Sequence, residues 1–155
     1  MSRRKQIRMS EDEVGEFLRS HKTIVLNSID PHGYPHPMPM WFTVADDGAI
    51  WMTTFRVSQK VQNIRRDPRV SLLVESGEVY SELAGVVLYG RAEVIDDIDV
   101  VIETLLKASQ TPSGDAAAQA AVRETMRKTA AKRVCLRVEP ERVVSWDHRK
   151  LGGVY

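Results

Sequence analysis

The stretch TTFRVSQKVQNIRRDP, residues 53–68, sits where an apolar strand gives way to a helix. Pro68 disfavours the helical region for the residue before it, so the spacing predicts a short helix over Gln59–Arg66 that stops at Asp67. Two threonines, an arginine, a serine and a lysine are crowded into residues 53–60. Ser58 is placed as an N-cap, and the first turn behind it would present unpaired N–H groups and the positive end of the helix dipole. That makes an anion site, for which phosphate is the usual guest. Lys60 would add charge, Thr53, Thr54 and Ser58 would add hydroxyl donors, and Asn63 would lie on a neighbouring face. Val61 and Ile64 are expected to point the opposite way, into the core. A plainer reading also stands: threonines suit strands, serines cap helices and lysines solvate helix faces. No spacing here is as specific as a Walker loop.

Outward from this corner, the chain reads as strands with turn punctuation. Upstream, KTIVLNSI (residues 22–29) is followed by the turn DPHG, then HPMPMWFTV (36–44), the turn ADDG, and AIWMTTF (49–55). Downstream come RVSLLVES (69–76), ELAGVVLYGRAEVI (82–95) and RVCLRVEP (133–140). Gly85 and Gly90 mark bulges or close backbone approach. Helices are expected at three further places. Ser10 and Glu13 have capping-box spacing before Val14, Phe17 and Leu18. A second helix starts near Asp96 with Ile98, Val101, Ile102 and Leu105 on one face. A third, rich in alanine, begins near Asp115 and carries Val122 and Met126, with TPSG as the loop between the two. The fold class is mainly β (α+β), an antiparallel barrel of about six strands with flanking helices. The expected organisation is a single domain over residues 1–155, of which 1–9 form a mobile basic tail.

The whole-chain totals narrow the function. With 155 residues the chain is long enough to bury about 68–70% of its unfolded surface. Lys and Arg number 22 against 21 Asp and Glu, a balance that points to neither nucleic acid nor an acidic surface as partner. One cysteine, Cys135, forms no internal disulfide, which suits a reducing cytoplasm. The basic start MSRRKQIRMS leads into no apolar core of a secretory signal, and no apolar run approaches the ~20 residues of a membrane span. His32 and His36 flank a turn with no carboxylate or cysteine pattern to complete a tetrahedral site, so no metal is expected. Trp41 and Trp51 flank a hairpin and read as core. Arg127, Lys128, Lys132 and Arg133 sit toward a helix end, where positive charge complements the dipole. The segment RVVSWDHRKLGGVY after the last strand reads either as a tail or as a flap over a site.

Pro35, Pro37 and Pro39 lie two apart, and alternate strand residues direct their N–H groups to one edge. That edge lacks three donors and cannot pair fully with another strand. It is either an edge protected from aggregation or a backbone left open for a ligand.

The order GYPHPMPMWF, IWMTTFRVSQKVQNIRRDPRVSLLVE, GVVLYGRAEVI and VVSWDHRKLGG resembles the flavin and deazaflavin split β-barrel superfamily. That superfamily includes pyridoxamine 5′-phosphate oxidases and oxidoreductases that use coenzyme F-420. The likeness runs from about Ser10 to the C-terminus. It implies a homodimer with two cofactor sites at the subunit interface and a small-molecule substrate, without nucleic acid or membrane. It implies that Thr53, Thr54, Ser58, Gln59 and Lys60 hold the cofactor phosphate with Asn63 nearby, and that Met38, Pro39, Met40 and Trp41 run beside the ring. Trp146, Arg149 and Lys150 would border the substrate side, with His148 as the candidate proton donor. An acidic cofactor tail would suit Arg3, Arg4, Lys5 and Arg8, or Lys128, Lys132 and Arg133. Where the pyridoxamine phosphate oxidases carry Arg-x-x-Leu-Lys and Arg-Leu-His-Asp-Arg, this chain has MPMWF and WDHRK. The resemblance therefore implies coenzyme F-420 as cofactor and hydride transfer to an unsaturated small molecule. FMN is the alternative cofactor, and a non-catalytic flavin, F-420 or haem binding protein is the alternative outside enzymes.

Overall fold

The computed structural model describes residues 3–109 and 116–152. The chain runs α1 (Arg3–Gln6), α2 (Glu11–Arg19), β1 (Thr23–Ile29), β2 (Pro35–Trp41), β3 (Thr43–Val44), β4 (Ile50–Phe55), α3 (Gln59–Arg66), β5 (Arg69–Ser76), β6 (Ala84–Ile95), α4 (Ile98–Ala108), α5 (Ala116–Ala130) and β7 (Arg133–Asp147). Short 3-10 turns occupy Tyr80–Glu82 and His148–Leu151. The seven strands form one antiparallel sheet in the order β2-β1-β5-β6-β7-β4-β3.

The two edges of that sheet, β2 and β3, are separated in sequence by Phe42 alone. Seven flat strands at ~4.8 Å spacing would hold their outer members roughly 29 Å apart, whereas one residue spans ~3.5 Å. The sheet must therefore roll until its edges meet, and it does so without a ladder between them. This is the expected split antiparallel barrel, with one correction. Residues 36–44, read as one strand, are two strands broken at Phe42, so the sheet has seven strands instead of about six. The local pattern is strand-like throughout; only the closure of the sheet forces the break.

Alternate residues fill the barrel. Ile24 and Leu26 of β1, Leu72 and Val74 of β5, Val86 and Leu88 of β6 and Leu136 and Val138 of β7 are buried together with Phe17 and Leu18 of α2. The predicted capping box starts α2: the Ser10 hydroxyl accepts from the Glu13 N–H, and Glu13 accepts from the Ser10 N–H. Outside the barrel, Val101 and Ile102 of α4 and Ala130 of α5 pack over Cys135, with Trp51 against them. The cap of α4 is Asp97, next to the start expected near Asp96, and it accepts from the Asp99 and Val100 N–H groups. The TPSG loop and a helix start at Asp115 lie outside the described residues.

The last strand is the second correction. It does not end at Pro140 but continues to Asp147, so Trp146 and Asp147 belong to β7 and pair with Gly85 and Ala84. Pro140 is tolerated because the β4 ladder ends at Ile50 opposite Val138, leaving β7 only β6 as neighbour. The register shifts between Tyr89 and Gly90, which places Glu141 as the extra residue. The basic segment 1–9, expected as a mobile tail, is tied down at its end: Asp147 N–H donates to the Ile7 carbonyl, Met9 N–H donates to Ser145 Oγ, and Met9 is buried. Among the described residues no helix is long and apolar enough to cross a membrane.

Both strand glycines serve close approach. A Cβ on Gly85 would lie 2.2 Å from the Trp146 ring, and one on Gly90 would lie 2.3 Å from the Glu139 carbonyl oxygen. Because the second obstacle is backbone, Gly90→Ala should destabilise by about 1–3 kcal/mol. Gly15→Ala meets only the flexible end of Arg19 in a helix interior and should be neutral or stabilising by up to ~1 kcal/mol. Urea midpoints for both variants check this. Equal shifts would remove the close approach as the reason for glycine at residue 90.

Candidate functional site

α3 carries the predicted corner, with the predicted ends. Ser58 stands at the N-cap with extended backbone, yet its hydroxyl caps no helix N–H. That hydroxyl lies 3.4 Å from Thr54 Oγ1. Lys60 Nζ donates to the same Thr54 oxygen at 3.0 Å, and Lys60 is 8% exposed. Gln59 Nε2 donates to Asn63 Oδ1 at 2.8 Å, and Asn63 Nδ2 donates to Ser28 Oγ at 3.0 Å. Asn63 and Ser28 are fully buried. The corner therefore carries two short polar chains, Ser58–Thr54–Lys60 and Gln59–Asn63–Ser28, and the second includes Ser28, for which the sequence holds no local signal.

The expected facing of α3 needs correction. Lys60 does not oppose Val61 and Ile64; all three are buried, together with Asn63. Residues 60 and 64 are one helical turn apart and share a face, so the ammonium enters the same interior as the isoleucine. Among the described residues no carboxylate pairs with Lys60, and burial pushes its ammonium below the usual lysine range. A buried cation whose only partner is a hydroxyl is costly unless an anion completes it.

A cavity of about 440 Å³ opens beside the corner. Its walls include Pro39, Met40 and Trp41 of β2, Trp51, Met52, Thr53 and Thr54 of β4, and residues of α4 and α5. Thr53 thus faces the cavity while Thr54 ties it to Lys60. β2 pairs only with β1, so its proline edge is open as expected. Residues of one strand that alternate also direct their carbonyls to one side, so the Pro35, Pro37 and Pro39 carbonyls accompany the missing donors on that open edge. The edge is rich in acceptors. Trp41 is 69% exposed and is not the core residue its hairpin position suggested; Trp51 is half-buried against α4. Arg133, which follows the helix end, is the first residue of β7, where the last strand was expected to start, and lines the cavity. Its guanidinium sits 4.3 Å from the Phe55 ring centroid, and its buried Nε has no partner.

The C-terminal candidates lie elsewhere in the chain. Thr54 pairs with Val134 at the start of β7, whereas Asp147 ends it, roughly 40 Å of extended chain later. Trp146 covers Gly85. His148 Nδ1 donates to the Tyr80 carbonyl at 2.9 Å, with its ring edge-on to Tyr80. Arg149 forks onto Asp147, which holds that carboxyl below its usual range, and Lys150 reaches Glu13 at 2.6 Å. Pro39, Met40 and Trp41 thus share a cavity with Thr53 and Thr54, Thr54 links it to Ser58 and Lys60, and Trp146, His148, Arg149 and Lys150 do not line it. Among the described residues no group of three His, Cys, Asp or Glu side chains is placed to hold a metal.

Comparison with known proteins places this architecture. Residues 10–147 match the family described as pyridoxamine 5′-phosphate oxidase. The conserved hypothetical protein Rv2991 from Mycobacterium tuberculosis is 37% identical, covers 100% of this chain and 95% of its own, and superposes with a TM-score of 0.86. An FAD-binding protein from Mesorhizobium loti is 20% identical over 88% of this chain and 94% of its own, with a TM-score of 0.64. An F-420 reductase is 20% identical over 83% of this chain and 93% of its own, with a TM-score of 0.57. The last two share the fold. No curated protein matches the chain.

Proposed function

Because the chain belongs to the pyridoxamine 5′-phosphate oxidase family, we propose that it is an oxidoreductase in which the reduced form of coenzyme F-420 gives a hydride to an unsaturated small molecule. The observation that carries this is Lys60, a buried ammonium with a hydroxyl partner and no carboxylate, beside a serine hydroxyl that caps nothing. These residues fit a phosphate group. The first-turn N–H groups of α3, Ser58, Thr54 and Lys60 would bind it through charge-assisted hydrogen bonds. The open β2 edge and Trp41 would place the ring, and the α4–α5 wall would keep water from it. When bound, the deazaflavin supplies the hydride, and the protein supplies binding, orientation and shielding. Met38, Met40 and Trp41 offer no cation to a vitamin phosphate, which separates this site from pyridoxamine phosphate oxidation.

The functional unit in this reading is a cytoplasmic homodimer. Trp41, Phe55 and Val57 are 69%, 51% and 84% exposed around the corner and its cavity, apolar surface of the kind a second subunit covers. His148, with Trp146, Arg149 and Lys150, reaches the ring only if the dimer brings the β7 end of one subunit to the corner of the other.

Parallel fluorescence titrations of cofactor-stripped protein with coenzyme F-420 and with FMN test the reading. Tighter binding of F-420 is expected. Preference for FMN would move the protein to a flavin-dependent oxidase or reductase, and binding of neither would leave the fold without this chemistry.

A further inference from the structure

A second cavity of about 440 Å³ adjoins the first, sharing Trp41, Ala108 and Ser109 with it. Its walls come from the end of α2, the entry to β1, the β2–β3 corner and the end of α4. They carry Arg19, His21, Lys22 and Lys107, and no aspartate or glutamate. Among the described residues Arg19, Lys22 and Lys107 form no ion pair. Basic side chains at helix ends are commonly placed there to offset the dipole, and both α2 and α4 end at this cavity. That accounts for only part of the charge. Two helix C-termini contribute roughly −0.5 each, against three permanent cations, which leaves a field of roughly +2. His21 is held in place: its Nδ1 donates to the Phe17 carbonyl at 2.7 Å and its ring packs 4.3 Å from that of Phe17. Trp41, two-thirds exposed, gives the same cavity a flat apolar wall.

We infer that this cavity binds the carboxylate or phosphate group of a planar ligand whose unsaturated part lies against Trp41. The inference deepens the oxidoreductase reading and rests on it for the ligand's identity. An acidic substrate lying beside the ring and the acidic tail of the cofactor are the two sources of such a group. The cationic lining itself does not depend on that reading.

Calorimetric titration of the full-length protein with 2-naphthoate and with its neutral isostere 2-naphthamide tests the cavity directly. The carboxylate should bind about tenfold more tightly than the amide. Lys22→Ala combined with Lys107→Ala should bring that ratio close to one, and the corresponding arginine pair should keep it. Both positions are away from the core, so the variants should melt with the parent protein. Equal binding of acid and amide, or a preference that survives the alanine pair, would overturn the inference. Titrating the alanine pair with F-420, and with F-420 lacking its glutamates, then assigns the source. A loss confined to the full cofactor makes the tail the occupant, and no loss in either makes it the substrate. Failure of the parent protein to bind F-420, with the naphthoate preference intact, would strike the proposed cofactor and leave the anion cavity standing.

Discussion

Replacing Lys60 with methionine should weaken cofactor binding about ten- to 150-fold while leaving the cofactor-free protein as stable as before or more so. The two halves of this result have one cause. Lys60 is 8% exposed, its Nζ meets only Thr54 Oγ1, and no described carboxylate neutralises it. In the free protein the charge is a cost, because an ammonium taken out of water without a counter-ion loses hydration that one hydroxyl does not replace. Methionine keeps most of the length and packs apolar neighbours such as Ile64 without that penalty. With a phosphate bound, the same charge becomes one end of a charge-assisted hydrogen bond, of order 1.5–3 kcal/mol. A loss of stability with unchanged affinity would mean that Lys60 is a structural residue and that the corner is not a phosphate site.

The pH dependence has a definite sign. Burial depresses the folded-state pKa of Lys60 below its unfolded value. At pH values between the two, the unfolded chain binds more protons at this residue, so stability rises with pH. The penalty is complete below the folded pKa and is relieved as pH climbs toward the ordinary lysine value near ~10.4. Free Lys60→Met protein should lack this alkaline gain. A bound phosphate favours the charged form, so the gain should also shrink when cofactor is present. Melting curves between neutral pH and pH ~10, with and without cofactor, read all three cases.

The corner was legible in the sequence because its determinants are local. Pro68 sets where α3 stops, Ser58 marks the N-cap position, and the donors lie within residues 53–60. The proline edge was legible for the same reason, since missing N–H groups at a spacing of two have one geometric meaning in any strand. What the sequence did not reveal depends on distant parts of the chain. Ser28 joins the Asn63 network across 35 residues, and the cavity wall arrives with α4 and α5. Trp146 looked like part of a tail because the ladder that makes it strand is on β6. Lys60 was misread in a different way. Its one-turn relation to Ile64 was available from spacing, but a lysine on a short helix suggests solvent, and only the packing of α3 on the barrel shows that it is enclosed.

Phe42 offers the sharpest test of how the barrel forms. It is 6% exposed, packs with the main core, and is the sole residue between the two edges of the sheet. Phe42→Ala should cost about 3–5 kcal/mol, the range for deleting a buried phenyl ring whose surroundings relax only in part. Collapse is especially difficult here. Residues 41 and 43 are held by opposite edges, Trp41 opposite Thr23 of β1 and Thr43 opposite Trp51 of β4, so the backbone at Phe42 cannot move inward without dragging both ladders. The 51% exposed Phe55 provides the comparison: Phe55→Ala removes the same ring, loses the stacked Arg133, and should cost no more than about 1–1.5 kcal/mol. If Phe42→Ala unfolds too readily to measure, Phe42→Leu keeps most of the volume and should lie between the two. Equal costs for Phe42 and Phe55 would mean that the edges are held together by their ladders alone. A cost concentrated at Phe42 would make closure a packing event, in which one ring holds two strands of a nine-residue strand-like run at opposite ends of the same sheet.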